Sequence, residues 1–191
     1  YYGRSPTIRC HLGQAEIVDS ILSIRSVRIS ESYGPTQFQF FMYFLGCDTT
    51  SAFNGKGKKS VWQAWQAYED ITETLVYLAS HPFEKQFQES KFFQKLEQLV
   101  VLYDKTSSSN SVNEVRRNLF CPKNRSIDKL PPTQDALLQH IRGTVYQAGI
   151  WTSCTQSQTV VPSSPEGYGW KKVADSWVLS LDYRAGSIQS I

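Results

Sequence analysis

The chain has 191 residues, a length that fits one domain or one domain with a tail. Its hydrophobic content of 40% and aromatic content of 13% suffice for a packed core, which excludes a wholly disordered chain. The formal net charge of +3 is too small to indicate a nucleic-acid partner, so any such indication must come from local clustering of charge.

Several other classes of protein are also disfavoured. The chain begins at Tyr1 rather than Met, so we expect a fragment, and no basic-then-apolar leader indicates a signal peptide. The longest apolar run, Phe38 to Leu45, is far shorter than the ~20 residues that a membrane span needs, so we expect no membrane partner. The four cysteines and three histidines have no zinc-site spacing. We therefore expect an intracellular protein with free cysteines, and the nucleus is one candidate compartment.

The first part of the chain is the hardest to assign. Residues 16–30 alternate loosely and fit either a strand or a short helix, and residues 33–36 (YGPT) predict a turn. Residues 38–45 have the i, i+3, i+4, i+7 apolar spacing of a helix, but their aromatic content equally suits a buried strand.

Helical patterns follow. Residues 58–80 have one apolar stripe, with a capping box at Ser60, a break near Glu69 and a second capping signature at Asp70. After His81-Pro82 a second helix is predicted over residues 84–103.

Two further helices and an arm complete the pattern. Ser111 opens a short helix to about Phe120, and Thr133 caps a helix that should end near Gly149. Residues 161–170 are rich in Pro, Gly and Ser and predict an irregular arm, after which only a weak strand, SWVLSLDY, is expected.

The segment GCDTTSAFNGKGKKS, residues 46–60, combines an aspartate with a glycine turn and lysines. Two glycines allow a tight turn and a close approach of the backbone to a partner. The N-terminus of the next helix offers unpaired amides and partial positive charge, which suit a phosphate group. The segment therefore predicts phosphate binding, and the alternative is an ordinary loop with solvated lysines. The candidate residues are Gly55, Lys56, Gly57, Lys58 and Lys59.

Asp48 is a candidate metal ligand in the same segment. A carboxylate close to a phosphate site is what a Mg²⁺-dependent nuclease requires. Hydrolysis of a phosphodiester commonly uses two such ions, which one aspartate cannot hold, so its partners would have to come from elsewhere in the fold. The alternative is that Asp48 is a helix cap or a turn residue.

The sequence GCDTTSAFNGKGKKSVWQAW resembles a segment of flap-endonuclease-type nucleases, within the PIN-like superfamily, that reads roughly G-C-D-Y-x-x-x-I-x-G-I-G-P-K-x-A. The resemblance implies an aspartate that binds metal and a glycine hairpin, part of a helix–turn–helix element, that grips duplex backbone. Aligned without a gap, the matching residues are Gly46, Cys47 and Asp48 for G-C-D, Phe53 for the buried Ile, Gly55 and Gly57 for the hairpin, and Lys59 for the Lys.

Residues 46–170 resemble more closely a group of animal proteins of mobile-element type, through blocks such as LYDKTSSSNSVNEVRRNLF and LPPTQDALLQHIRGTVYQAGIW. This resemblance brings no established activity. Such proteins typically have an upstream aspartate-rich block, whereas the acids of residues 1–45 are Glu16, Asp19 and Glu31, without a D-x-D. We therefore expect no independent nuclease activity and no cofactor in this chain, with Mg²⁺ bound only in a complete parent protein.

Three weaker groups of candidates remain. A second basic cluster could contact nucleic acid, although a solvated surface is the commoner explanation. Six aromatic residues are expected in the core rather than in a base-stacking platform, and His140 is expected to be a hydrogen-bonded core or edge histidine. The cluster is Arg116, Arg117, Lys123, Arg125 and Lys129, and the aromatic residues are Trp62, Trp65, Tyr68, Trp151, Trp170 and Trp177.

Taken together, the patterns and the resemblance predict a mostly α fold. It would contain the helix–turn–helix, with its Gly-x-Gly hairpin, of PIN-like nucleases and a remnant of an α/β core at the N-terminus. The predicted divisions are residues 1–45, a helical domain over 46–160 and an irregular arm over 161–191. The predicted function is binding to nucleic-acid backbone, with DNA favoured over RNA. The alternative is a protein-interaction or structural role without nucleic acid.

Overall fold

The computed structural model describes residues 35–46, 50, 52–53, 58–83, 91–103, 109–120, 127–154 and 164–179. These residues are mostly α-helical, as predicted, and no helix among them is both long and apolar enough to cross a membrane. The N-terminal residues up to 34, where an α/β remnant was predicted, lie outside them. The elements are α1 (Pro35–Leu45), α2 (Lys58–Ala67), α3 (Ile71–Ser80), α4 (Lys91–Tyr103), α5 (Val112–Phe120), a 3-10 turn (Ile127–Lys129), α6 (Gln134–Cys154), β1 (Trp170–Val173) and β2 (Ser176–Leu179).

The aromatic run at residues 38–45 is helical. Phe40, Phe41 and Phe44 are buried, and α1 packs against α3 and α6. Burial of a helical face between two other helices outweighs the tendency of aromatic residues to form strands. Pro35 is the first residue of α1, where its missing N–H costs no hydrogen bond, so the turn predicted there is wrong.

The break predicted near Glu69 is confirmed, because α2 ends at Ala67 and α3 begins at Ile71. Trp65 is buried, and its Nε1 donates a hydrogen bond to Thr72 Oγ1 at 2.9 Å. This bond joins the two helices across the break.

The predicted capping boxes differ from the observed helix starts. Ser60 lies inside the first turn of α2, and Asp70 stands at the N-cap of α3 without making a side-chain cap bond. Before α5, the hydroxyl that acts is that of Ser109. It accepts a hydrogen bond from Ser111 N at 3.2 Å and donates one to Glu114 Oε2 at 2.5 Å. The start of α5 is therefore where the sequence predicted it, but the cap is built differently.

The longest helix, α6, starts as predicted and ends later. Thr133 Oγ1 accepts a hydrogen bond from Ala136 N at 3.2 Å, which is a helix N-cap. The helix was expected to end near Gly149 but continues to Cys154. Gly149 is buried, and carbons of the Phe83 ring lie 2.7 Å from the position that a Cβ would take there. The glycine permits close packing inside the helix instead of ending it.

Helix α4 lies at the centre of the packing and contacts α2, α3, α5 and α6. Its residues Leu96, Leu99 and Val100 are fully buried, as predicted. Phe92, also predicted to point inward, is half-buried and stacks on Tyr77 of α3 with ring centroids 4.2 Å apart.

The C-terminal region contains a hairpin that was only half predicted. Strands β1 and β2 are antiparallel, and Val173 pairs with Ser176 across a two-residue turn. Ala174 in that turn has a φ of 54°, and the dipeptide Ala174-Asp175 lacks the glycine that usually marks such turns. The sequence therefore revealed β2 but not β1, and the irregular arm expected over residues 161–191 includes an ordered hairpin.

Candidate nucleic-acid interface

The candidate segment joins the end of α1 to the start of α2. Among its residues, the structure describes Gly46, Thr50, Ala52 and Phe53 before α2 begins. The other predicted site residues of this segment, Asp48, Gly55, Lys56 and Gly57, lie outside the described residues.

The segment starts with a helix C-cap. Gly46 has a positive φ of 110°, and its N–H donates to Tyr43 O at 3.1 Å. Thr50 Oγ1 donates to the same carbonyl at 3.1 Å. The last carbonyls of a helix lack partners within the helix, and glycine readily adopts the left-handed conformation that ends one. The chain is therefore fixed to the end of α1 on both sides of Asp48.

His140 of α6 contacts the same region from the other side. Its Nε2 lies 2.7 Å from Phe44 O, and because a carbonyl only accepts, Nε2 carries the proton. The imidazole ring packs edge-on against Phe44 and Phe53, with ring centroids 5.4 and 4.8 Å away. The histidine thus contacts both the helix end before Asp48 and the aromatic residue before the glycine turn.

The charge state of His140 follows from this environment. Burial lowers the pKa of His140 from 6.5 to about 4, while the hydrogen bond with Phe44 raises it in part. The ring is therefore neutral at pH 7 and adds no positive charge to a phosphate site. This agrees with the prediction of a hydrogen-bonded core or edge histidine.

The lysine end of the segment leads directly into a helix. Helix α2 begins at Lys58, and Lys59 is exposed in its first turn. The prediction that a helix N-terminus follows the Gly-Lys-Gly turn is thus confirmed. The unpaired amides and the dipole of that end add to the charge of the neighbouring lysines.

The second basic cluster is not a single surface of free charges among the residues described. Arg116 is half-buried, and its Nη1 donates to Pro131 O at 2.8 Å, which connects α5 to the chain before α6. Arg117 and Lys129 are exposed, whereas Lys123 and Arg125 lie outside the described residues. At least one of the five cations therefore has a structural role.

The aromatic residues are mainly core residues, as predicted. Trp62 and Trp65 are buried, and Trp151 is half-buried and stacks on Tyr43 with ring centroids 6.2 Å apart. Trp170 and Trp177 are half-buried in the hairpin. The buried tryptophans of α2 leave no face for base stacking.

A metal site was tested on the side chains in place. Within the described ranges, no three or more His, Cys, Asp or Glu side chains are grouped so that they could bind a metal ion. Asp48 lies outside those ranges, as do Cys10, Cys47 and Cys121. The described residues do not fit a Mg²⁺ pair, and we derive no catalytic step through one.

Sequence reasoning missed two residues of this region. The bond from Thr50 to Tyr43 and the contacts of His140 with Phe44 and Phe53 were not predicted. No local signal could have revealed the second set, because Phe44 and His140 are 96 positions apart. The apolar i, i+3 and i+4 neighbours of His140 could show only that it lies near a buried face.

Comparison with families of known proteins, with curated proteins and with solved structures found no match to this chain.

Proposed function

We propose that this chain binds the sugar-phosphate backbone of nucleic acid through the Gly-Lys-Gly turn and the first turn of α2. The observation that carries this proposal is that α2 begins at Lys58, directly after the turn, with Lys59 exposed. Amides at a helix start and adjacent lysines are a recurrent solution for binding phosphate. Gly55 and Gly57 would allow the backbone to approach closely, and Lys56 would add the third cation.

Three properties follow from such an interface. Binding is independent of sequence, because phosphates carry no base information. Its affinity falls with salt, because bound phosphates release counterions. Duplex DNA is preferred to RNA, as the resemblance to flap-endonuclease-type nucleases implies, and the protein acts inside the cell, with the nucleus as one candidate compartment. Asp48 would contribute to a Mg²⁺ site only in a complete parent protein.

The decisive experiment is a salt titration of DNA binding. Fluorescence anisotropy of a labelled duplex is measured for the parent chain and for a Lys56→Ala, Lys58→Ala, Lys59→Ala triple variant. The variant should lose more than about tenfold in affinity, and the slope of log affinity against log salt should decrease by about 2 to 3. Equal binding by parent and variant would refute the proposal.

A matched control removes the same charge elsewhere. Lys91, Lys171 and Lys172 are exposed and lie outside the candidate segment, so their joint replacement by Ala also removes three positive charges. This control should retain most of the affinity and the salt slope. A loss as large as that of the first variant would mean that net charge, and not the segment, determines binding.

A second candidate function is a protein-interaction domain of a mobile-element protein. It is favoured by two exposed apolar side chains near the end of α5, Phe120 at 66% and Ile127 at 52% exposure. Large apolar side chains exposed on a soluble surface often mark contacts with other proteins. In this case the parent chain would not bind duplex DNA at any salt concentration of the titration.

A further inference from the structure

The candidate segment contacts the described helical core at three points, Gly46, Thr50 and Phe53. The first two bond to Tyr43 O, at 3.1 Å each. Phe53 is half-buried and packs on Phe44 with ring centroids 5.6 Å apart. Asp48 lies between the first two contacts in sequence, and Gly55 follows the third by two residues.

His140 is the side chain of α6 that touches two of the groups involved. Its Nε2 donates to Phe44 O, in the last turn of α1, and its ring packs on the Phe53 ring. A carbonyl at a helix C-terminus needs a donor from outside the helix, and here the donor comes from a distant element. One side chain therefore fixes both the helix end from which the segment leaves and the aromatic residue before the glycine turn.

The chemistry of His140 favours positioning over direct binding. The imidazole is half-buried between two aromatic rings, and its Nε2–H is already used by Phe44 O. A neutral ring with that donor engaged has little to offer a phosphate. Its contribution would be to limit the positions open to the segment, which reduces the entropy lost when a ligand is bound.

We propose that His140 is a positioning residue for the candidate interface: it fixes the end of α1 and Phe53, and so presents the lysine segment to the phosphate backbone. This inference rests on the proposed nucleic-acid function, but the positioning itself can be measured without DNA. It makes α6 part of the interface without any contact between α6 and the ligand.

The first measurement is hydrogen–deuterium exchange of the free protein over residues 46–60. His140→Ala should increase exchange in this segment, and His140→Gln, whose amide can still donate to Phe44 O, should restore most of the protection. Tyr168→Phe is the matched control, because it also removes one long-range bond to a backbone carbonyl, that of Phe83. Unchanged exchange in His140→Ala, or an equal increase in Tyr168→Phe, overturns the positioning role.

The second measurement is DNA binding by the same variants, at a temperature at which each is fully folded. His140→Ala should lose about tenfold in affinity and show a shallower salt slope, His140→Gln should recover most of both, and Tyr168→Phe should match the parent. If exchange rises but binding is unchanged, the inference fails while the proposed function stands. If the parent chain does not bind DNA, the proposed function fails, and the role of His140 at an interface fails with it.

Discussion

At the scale of single residues, Gly149 lies under an aromatic ring that has little room to move. Phe83 has a positive φ of 66°, and its ring packs edge-on against Tyr146 and Tyr168 with centroids 5.7 and 6.5 Å away. A methyl group at position 149 would meet carbons of this ring at 2.7 Å. Relief of that overlap requires Phe83 to shift against both tyrosines.

We expect Gly149→Ala to lower the free energy of unfolding by about 1 kcal/mol. Overpacking of a buried site typically costs ~1–3 kcal/mol, and the better helix propensity of alanine returns at most ~1 kcal/mol of that. Urea unfolding followed by circular dichroism measures the change.

Gly143 provides the control in the same helix. A Cβ there would have Tyr168 O as its nearest neighbour, at 3.8 Å, an ordinary contact distance. Gly143→Ala should therefore raise the free energy of unfolding by about 0.5–1 kcal/mol. If both alanine variants shift stability in the same direction, the contact with Phe83 is not the reason for glycine at position 149.

At the scale of elements, the starts of α5 and α6 share one buried carboxylate. Glu97 of α4 is 4% exposed, and its Oε1 accepts a hydrogen bond from Val112 N at 3.0 Å. Gln134 Nε2 donates to both of its oxygens, at 3.2 and 3.1 Å, while Gln134 N donates to Asn113 Oδ1 at 2.9 Å. A negative charge at a helix N-terminus is also favoured by the helix dipole.

Glu97→Ala is expected to lower the free energy of unfolding by about 2–4 kcal/mol, because it leaves Val112 N–H and the Gln134 amide buried without this acceptor and opens a cavity. Glu97→Gln keeps the volume and one acceptor, so it should cost about 1 kcal/mol. Denaturant titrations of both variants give the comparison.

A surface carboxylate serves as the reference for Glu97. Glu73 is 87% exposed and forms an ion pair with Lys95 at 3.3 Å. Because exposed ion pairs contribute little, Glu73→Ala should leave stability nearly unchanged. Equal losses from Glu73→Ala and Glu97→Ala would contradict the assignment of Glu97 as the structural cap.

This element scale marks how far sequence patterns reach. Apolar periodicity correctly predicted the break near Glu69 and the start of α6 after Thr133, since both depend on neighbours in the sequence. It could not predict that Glu97 caps α5, because that bond joins residues 15 positions apart in different helices. The same limit applied at Gly149, where a tertiary contact and not local propensity decided the helix end.

At the scale of the whole molecule, the candidate segment and the hairpin both lie against the middle of α6. Phe53 packs on His140, and a Cβ at Gly169, just before β1, would lie 3.2 Å from Gln139 O. The sequence predicted the glycine turn and lysines of the candidate site, but not the helix that supports it. Separation in sequence conceals such support, because periodicity describes one element at a time.

Tyr168 is the residue through which the hairpin joins the helical core. It is 1% exposed, its hydroxyl donates to Phe83 O, and its ring lies 4.9 Å from that of Tyr146, centroid to centroid. The pKa of Tyr146 is raised by burial and then by the neighbouring Tyr168, which agrees with a dry contact. The hairpin strands themselves are largely exposed, so this contact is expected to be what orders them.

We expect Tyr168→Ala to lower the free energy of unfolding by about 3–5 kcal/mol and to release the hairpin from the helices. Hydrogen exchange should then show early loss of protection in β1 and β2, while α4 and α6 keep theirs. Tyr168→Phe retains the ring and loses one hydrogen bond, so it should cost only about 1 kcal/mol and leave the hairpin protected. Full protection of β1 and β2 in Tyr168→Ala would mean that contacts other than this ring order the hairpin. Because an isolated two-stranded hairpin is at best marginally stable in water, its protection reports directly on attachment to the core.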